Sequence, residues 1–170
     1  MNRFILSAFA ALLLLANLQP AISASAPGEA TTFNRPAPED DVAIRHLLDT
    51  YTKSVMAGDR ARFESQLLDL SIPFYGVTQG RKPVERSGLA IVQDYAGFRG
   101  AIFDSGKKFR QTFSNIKIEQ VGNLAQVSLD YQTAPQDQAY AFTGWKVLQL
   151  IKLDGQWKIA SEFYTGYPIR

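Results

Sequence analysis

The chain has 170 residues, with 18 lysines and arginines against 16 aspartates and glutamates, one histidine and no cysteine. Without cysteine it can form no disulfide and cannot be a lipoprotein, and a single histidine removes most metal-site chemistry. The nearly balanced charge gives little reason to expect a nucleic-acid partner. We therefore predict no metal, no cofactor and no nucleic acid.

The N-terminal residues have the plan of a secretory signal peptide. Arg3 precedes an apolar run from Phe4 to Leu18, and small residues follow at positions 21, 23 and 24. The run is shorter than the ~20 residues of a membrane-spanning helix. We predict a signal peptide over 1–24, cleaved near Ala24, and a flexible linker over 25–38 that is rich in Ala, Ser, Thr and Pro. The mature protein would be periplasmic or secreted, with no membrane contact after cleavage.

Residues 39–57 show the clearest helical pattern. Acidic residues at 39–41 suit the positive end of a helix dipole, and Gly58 is a natural stop. His46 points away from the apolar side, so we expect this histidine to be solvated rather than catalytic. The apolar side recurs at helical spacing and contains Ile44, Leu47, Leu48, Tyr51 and Val55.

Two shorter helices and a strand follow. Residues 59–68 predict a short helix, and "SIPFYGV" predicts a strand whose Pro73 suits the edge of a sheet. A third helix begins at about Val92, although Gly97 and Gly100 weaken it. The apolar residues of these two helices are Phe63, Leu67 and Leu68, then Tyr95, Phe98, Ile102 and Phe103.

From residue 113 onward the apolar period becomes two, which is typical of strands. A first hairpin turns at Gly122-Asn123 and pairs Ile118 with Val127. A second turns at Asp154-Gly155, and a regular register pairs Leu150 with Ile159, Leu148 with Ser161 and Lys146 with Phe163. Both faces of the second hairpin are apolar. Helices followed by antiparallel strands indicate an α+β domain with the helices on one side of the sheet.

The segments "LLDTYTKSVMAGDRARF" and "GWKVLQLIKLDGQWKIASEFY" resemble the nuclear transport factor two-like superfamily. It includes ketosteroid isomerases, SnoaL-like polyketide cyclases and scytalone dehydratase. The resemblance covers residues 39–170. It implies three N-terminal helices packed in the concave side of a strongly curved antiparallel sheet, a cone-shaped α+β barrel. It also implies a pocket between helices and sheet, and a homodimer through the convex side.

By resemblance to ketosteroid isomerase, one face of the last hairpin lines the cone and the other contacts a partner subunit. The implied ligand-binding residues are Tyr51, Phe74, Tyr75, Phe98, Phe103, Trp145, Val147, Gln149, Glu162 and Tyr164. The implied dimer residues on the outer face are Leu148, Leu150, Trp157, Ile159 and Phe163.

The resemblance gives little support for catalysis. Tyr51 stands eight residues before Asp59, as the oxyanion tyrosine of ketosteroid isomerase does. The position of the base falls near Tyr75, where no carboxylate lies within five residues on either side. The second acid falls near Val147 or Leu148, both apolar. Scytalone dehydratase and the cyclases depend on histidine, which is predicted here to be solvated.

Glu162 has two interpretations. Among apolar residues it could act as an acid–base group, or it could form an ion pair with Arg99 or another cation. We predict an exported protein that binds a small, mostly apolar molecule, with no established catalysis. The first alternative is an isomerase-, dehydratase- or cyclase-type enzyme that uses Glu162 as acid–base and Tyr51 as hydrogen-bond donor. The second is a ligand-free dimerisation module.

Overall fold

A computed structural model describes residues 34–78, 90–92, 94–139 and 141–169, which belong to one compact unit, Thr31–Arg170. The predicted signal peptide and most of the predicted linker lie outside the described residues, so both stay predictions. No helix in the described part of the chain has the length and apolar character needed to cross a bilayer. The elements are α1 (Pro38–Ala57), α2 (Arg60–Glu64), β1 (Phe74–Thr78), β2 (Ala90–Val92), α3 (Tyr95–Ile102), β3 (Phe109–Val121), β4 (Leu124–Pro135), β5 (Ala141–Leu153) and β6 (Gln156–Ile169).

Helix α1 confirms the prediction from apolar spacing. It begins at Pro38, the last residue of the predicted linker, because proline suits the first helical turn. It ends at Gly58, which takes the left-handed conformation with φ 68°. His46 is exposed, as predicted. The five apolar residues predicted to share a face are all buried.

The strands form one six-stranded sheet in the order β2-β1-β6-β5-β4-β3. All neighbouring pairs are antiparallel except β1 and β6, which are parallel. The predicted α+β cone fold is therefore confirmed, with one parallel pair in the sheet. The predicted edge position of β1 is wrong, because β2 covers its outer side. Pro73 lies just before β1, and its carbonyl accepts a hydrogen bond from the Glu162 N–H at 2.9 Å.

The β3–β4 hairpin has the predicted register near its turn, with Ile118 opposite Val127. A bulge follows between Ser114 and Lys117. Within it Asn115 has φ 51°, and its side-chain amide donates to Asp130 at 2.6 Å. Asparagine tolerates this left-handed conformation better than most residues.

The last hairpin has a second bulge, which changes the direction in which the later side chains of β6 point. Its turn is as predicted, with positive φ at Asp154 and Gly155, and Leu150 pairs with Ile159. The register then shifts, so that Leu148 lies opposite Glu162 instead of Ser161. Ala160 is the extra residue of the bulge. A one-residue shift moves every later side chain to the other face of the sheet.

The predicted faces of β5 are reversed along the strand, because Lys146, Leu148 and Leu150 alternate without interruption and are all buried on the inner face. The bulge changes β6 instead, where it brings Glu162 and Tyr164 to the same face as Lys146. Lys146 lies opposite Tyr164 and shares the inner face with Leu148. Of the predicted dimer residues, only Phe163 is exposed, and it stacks on Tyr75 with ring centroids 5.4 Å apart. The others are buried in the core of the same subunit, namely Leu148, Leu150, Trp157 and Ile159.

Candidate ligand-binding cavity

A cavity of about 420 Å³ lies between α3 and the inner face of the sheet. Its volume is within the usual range for sites that hold small molecules. Helix α3 supplies one wall, and the strands β3 to β6 supply the others. Most of the lining is apolar or aromatic, from Phe98, Ala101, Ile102, Phe109, Tyr131, Pro135, Phe142, Tyr164 and Gly166.

Lys146 lines this cavity and belongs to a buried polar cluster, here called the Lys146 triad, of Lys146, Glu162 and Tyr51. Lys146 Nζ lies 2.6 Å from Glu162 Oε1 and donates to the Tyr51 hydroxyl at 2.8 Å. The Tyr51 hydroxyl donates in turn to Glu162 Oε2 at 2.9 Å. The Lys146 side chain is 2% exposed and that of Glu162 is 0% exposed. The pair is therefore removed from solvent, and each charge depends on the other.

Five aromatic rings surround Lys146 Nζ, which lies 4.7 to 5.9 Å from their centroids. The rings belong to Tyr51, Phe98, Phe113, Tyr131 and Tyr164. Phe98, Tyr131 and Tyr164 also line the cavity, which places Nζ between the cavity and Glu162. An ammonium has three N–H donors, and two of them have acceptors among the described residues. The third is available to the rings or to a ligand.

Burial controls the proton affinities around the triad. It lowers the pKa of the Lys146 ammonium, and attraction to Glu162 opposes that change. Burial raises the pKa of the Tyr51 hydroxyl well above its ordinary value, and the charge of Glu162 raises it further. The same two causes raise the pKa values of Tyr131 and Tyr164. All three phenols therefore remain protonated donors at neutral pH.

Gln111 gives the cavity a second polar group. It is 4% exposed, lines the cavity, and donates from Nε2 to Thr133 Oγ1 at 3.0 Å. Its Oε1 has no hydrogen-bond partner among the described residues. Leaving a buried acceptor unpaired costs about 1–3 kcal/mol. A ligand with a hydrogen-bond donor could remove that cost.

The local sequence explains why these side chains meet. The bulge at Ala160 turns Glu162 inward, opposite Leu148 and within 2.9 Å of the Tyr51 hydroxyl on α1. Gly76 lies opposite Tyr164, and a side chain at this position would come within 2.6 Å of the Tyr164 ring. Glycine at position 76 therefore lets that ring lie against β1 and face the cavity.

The structure brings only part of the predicted site together. Phe98 and Tyr164 line the cavity. Tyr51 and Glu162 are buried behind Lys146, Phe74 is a core residue, and Phe103 packs at the edge of the core. The inward positions implied for four other residues are wrong. Tyr75 and Trp145 are exposed, Val147 is on the outer face, and Gln149 accepts a hydrogen bond from Ser161 there.

Sequence reasoning missed Lys146 and Gln111. The resemblance to ketosteroid isomerase placed Lys146 on the outer face together with Leu148 and Leu150, whereas the structure buries all three on the inner face. Gln111 had a usable signal, since Phe109, Gln111 and Phe113 alternate with polar residues at the start of β3.

Of the two interpretations of Glu162, the ion pair is present, with Lys146 as the cation instead of Arg99. Arg99 pairs with Asp104 at 3.0 Å.

No protein-family model matches the chain, and no curated protein matches it. Solved structures do match. One is a nuclear transport factor two-like protein of unknown function from Shewanella baltica, with 18% identity, TM-score 0.56, and coverage of 80% of this chain and 100% of that chain. A second, from Pseudomonas putida and of the same description, has 11% identity, TM-score 0.58, and coverage of 76% and 87%.

A third match is a protein from Novosphingobium aromaticivorans that is provisionally named scytalone dehydratase. It has 13% identity and TM-score 0.59, with 77% of this chain and 87% of that chain covered. At such identities the matches establish the fold and leave the chemistry open. The chain therefore has the nuclear transport factor two-like fold.

Proposed function

We propose that this protein binds a small, mostly apolar molecule in the cavity, with one polar group of the ligand directed at Lys146 and Gln111. The observation that carries the proposal is an apolar cavity of about 420 Å³ that reaches a buried lysine. Pockets with apolar walls and a few convergent polar groups are the usual form of a small-molecule site.

The charges at the inner end favour a neutral ligand. Lys146 and Glu162 compensate each other, so an anion at Lys146 Nζ would have to give up its hydration for an ion pair without net charge. The third N–H of Lys146 can donate to an oxygen of the ligand, and Gln111 Oε1 can accept from a hydroxyl. A ketone, aldehyde or alcohol on an apolar body fits these groups best.

The two alternatives from sequence receive less support. Neither Tyr51 nor Glu162 is among the residues that line the cavity, and Glu162 is fully buried by its partners. A role for Glu162 as a base in direct contact with substrate therefore lacks geometric support. A ligand-free dimerisation module gives no reason for an apolar cavity that reaches a buried lysine.

Assembly as a homodimer and export remain parts of the proposal. The contact surface would be the exposed outer face around Trp145, Tyr75 and Phe163, where Trp145 is 53% exposed. Trp145→Ser together with Phe163→Ser should give a soluble monomer. If light scattering finds wild type monomeric at high micromolar concentration, the proposed homodimer is wrong.

Export is tested by the N-terminus of protein from the native host, which should lie near Ser25.

Calorimetric titration with matched probes tests ligand binding. 2-Acetonaphthone and 2-methylnaphthalene have the same apolar body, and only the ketone offers an oxygen acceptor. We expect both to bind and the ketone to bind more tightly. Ala101→Trp should fill the cavity and abolish binding, whereas Ala96→Trp changes an exposed residue of the same helix that does not line it. Binding of neither probe, or equal binding by the two variants, would refute the proposal.

A further inference from the structure

We propose that Lys146 condenses with the carbonyl group of an aldehyde or ketone in the cavity and holds it as an imine. This inference rests on the proposed function and names the ligand class for the same site. It begins with an unusual position for a lysine. Lys146 lines a mostly apolar cavity at 2% side-chain exposure, and its ion-pair partner among the described residues is Glu162.

The first requirement of an amine nucleophile is a route for losing its proton. Glu162 Oε1 lies 2.6 Å from Lys146 Nζ, within the distance of direct proton transfer. Burial favours the neutral amine over the ammonium. Lysines that are desolvated in apolar pockets are activated as nucleophiles in this way.

The second requirement is that the carbonyl carbon reaches Nζ. Three rings that contact Nζ also line the cavity, those of Phe98, Tyr131 and Tyr164. A flat carbonyl compound that enters along these rings would bring its polar end to Nζ. The Tyr51 hydroxyl, 2.8 Å from Nζ, could relay protons to the carbonyl oxygen.

The reaction balances without any further reagent. The Lys146 ammonium gives one proton to Glu162, and the amine lone pair forms the N–C bond as the carbonyl π pair moves to oxygen. One proton then moves from nitrogen to that oxygen, giving a carbinolamine. Glu162 returns its proton, the oxygen leaves as water, and the nitrogen lone pair forms the C=N bond. Two of the three ammonium hydrogens leave in the water.

The charge of the site is the same before and after the reaction. A protonated imine replaces the ammonium, and the Glu162 carboxylate remains as its counter-ion at the same position. No additional charge is buried, so the product avoids the desolvation cost that an unpaired ion would carry. A buried lysine without such a carboxylate would have no partner for the positively charged imine.

Reductive trapping tests the inference. The folded protein would be incubated with 2-naphthaldehyde and sodium cyanoborohydride at pH 7, and the modified lysines would be identified by peptide mass mapping. Lys152 is the internal control, since it lies on the same strand but pairs with Asp40 and does not line the cavity. We expect the Lys146 adduct to form about tenfold faster or more than the Lys152 adduct, because the cavity holds the aldehyde beside Nζ and replaces a bimolecular encounter.

Two further arms make the result specific. Excess 2-methylnaphthalene, which occupies the cavity but cannot react, should slow the modification of Lys146 and leave Lys152 unchanged. Glu162→Gln should slow the Lys146 adduct as well, because the amine is then already neutral but no acid lies 2.6 Å from Nζ to protonate the departing oxygen, and the imine has no counter-ion. Modification of Lys146 no faster than Lys152, or without competition, would overturn the inference. If 2-acetonaphthone still binds in that case, the proposed binding function survives, and if no probe binds, both fail.

Discussion

Two buried clusters in this protein contain the same kinds of group and lie in different surroundings. In the Lys146 triad a lysine of β5 pairs with Glu162 at 2.6 Å and bonds a tyrosine hydroxyl. In the second, here called the Asp40 cluster, Lys152 of the same strand pairs with Asp40 at 2.6 Å. Asp40 also accepts hydrogen bonds from Trp157 Nε1 at 2.9 Å and Gln120 Nε2 at 2.7 Å.

The difference between the clusters lies in exposure and in what surrounds them. The Lys152 side chain is 27% exposed, and three donors hold Asp40 at the first turn of α1, which fastens that helix to the sheet. Lys146 is enclosed and lines the cavity. The comparison suggests that the Asp40 cluster serves the fold, whereas the Lys146 triad carries a cost of burial that a ligand site would explain.

The largest expected effect is that of Lys146→Met. The substitution keeps the length of the side chain but leaves Glu162 buried without a cation, which should cost about 3–5 kcal/mol in the free energy of unfolding at pH 7. Urea denaturation of wild type and variant measures it. The double variant Lys146→Met/Glu162→Gln should recover much of the stability, and a double variant no better than the single one would contradict the account.

Glu162→Gln should cost less, about 2–3 kcal/mol at pH 7, because an unpaired lysine can release its proton. Without Glu162 the pKa of Lys146 should fall further below its ordinary value. The folded state then binds fewer protons than the unfolded state between these two pKa values, so stability rises with pH in that window. Thermal melts between pH 6 and 9 should show the variant approaching wild type as pH increases. A constant difference over this range would argue against the buried ion pair.

Lys152→Met should have a smaller effect, about 1 kcal/mol, because Lys152 is partly exposed and Asp40 keeps two other donors. The hydrogen bond from Lys152 is the largest cause of the lowered pKa of Asp40, while burial opposes it. A carboxylate with a lowered pKa stabilises the fold above its ordinary pKa and loses that contribution as pH falls through the folded value. The difference between variant and wild type should therefore vanish in acid. If Lys152→Met lost as much free energy of unfolding as Lys146→Met, the proposed difference between the two clusters would be contradicted.

The sequence predicted the parts of both clusters that depend on local pattern. Helical spacing placed Tyr51 on the buried face of α1, and the Asp154-Gly155 turn fixed the first pairs of the last hairpin. The bulge at Ala160 depends on how the sheet curves and pairs over its whole length, and no local signal marks it. Its one-residue shift in β6 decides that Glu162 and Tyr164 share the inner face with Lys146. The site was therefore less predictable than the fold.

The most direct test of the central claim measures how much each of the two lysines of β5 contributes to binding the same small-molecule probe. Lys146→Met/Glu162→Gln removes the buried charges and keeps the shapes of the side chains, and Lys152→Met is the matched control. Titration calorimetry with 2-acetonaphthone should show affinity at least about tenfold lower in the first variant, the equivalent of one charge-assisted hydrogen bond, and unchanged in the second. Equal affinity of the double variant and wild type would contradict the claim that the ligand site ends at Lys146.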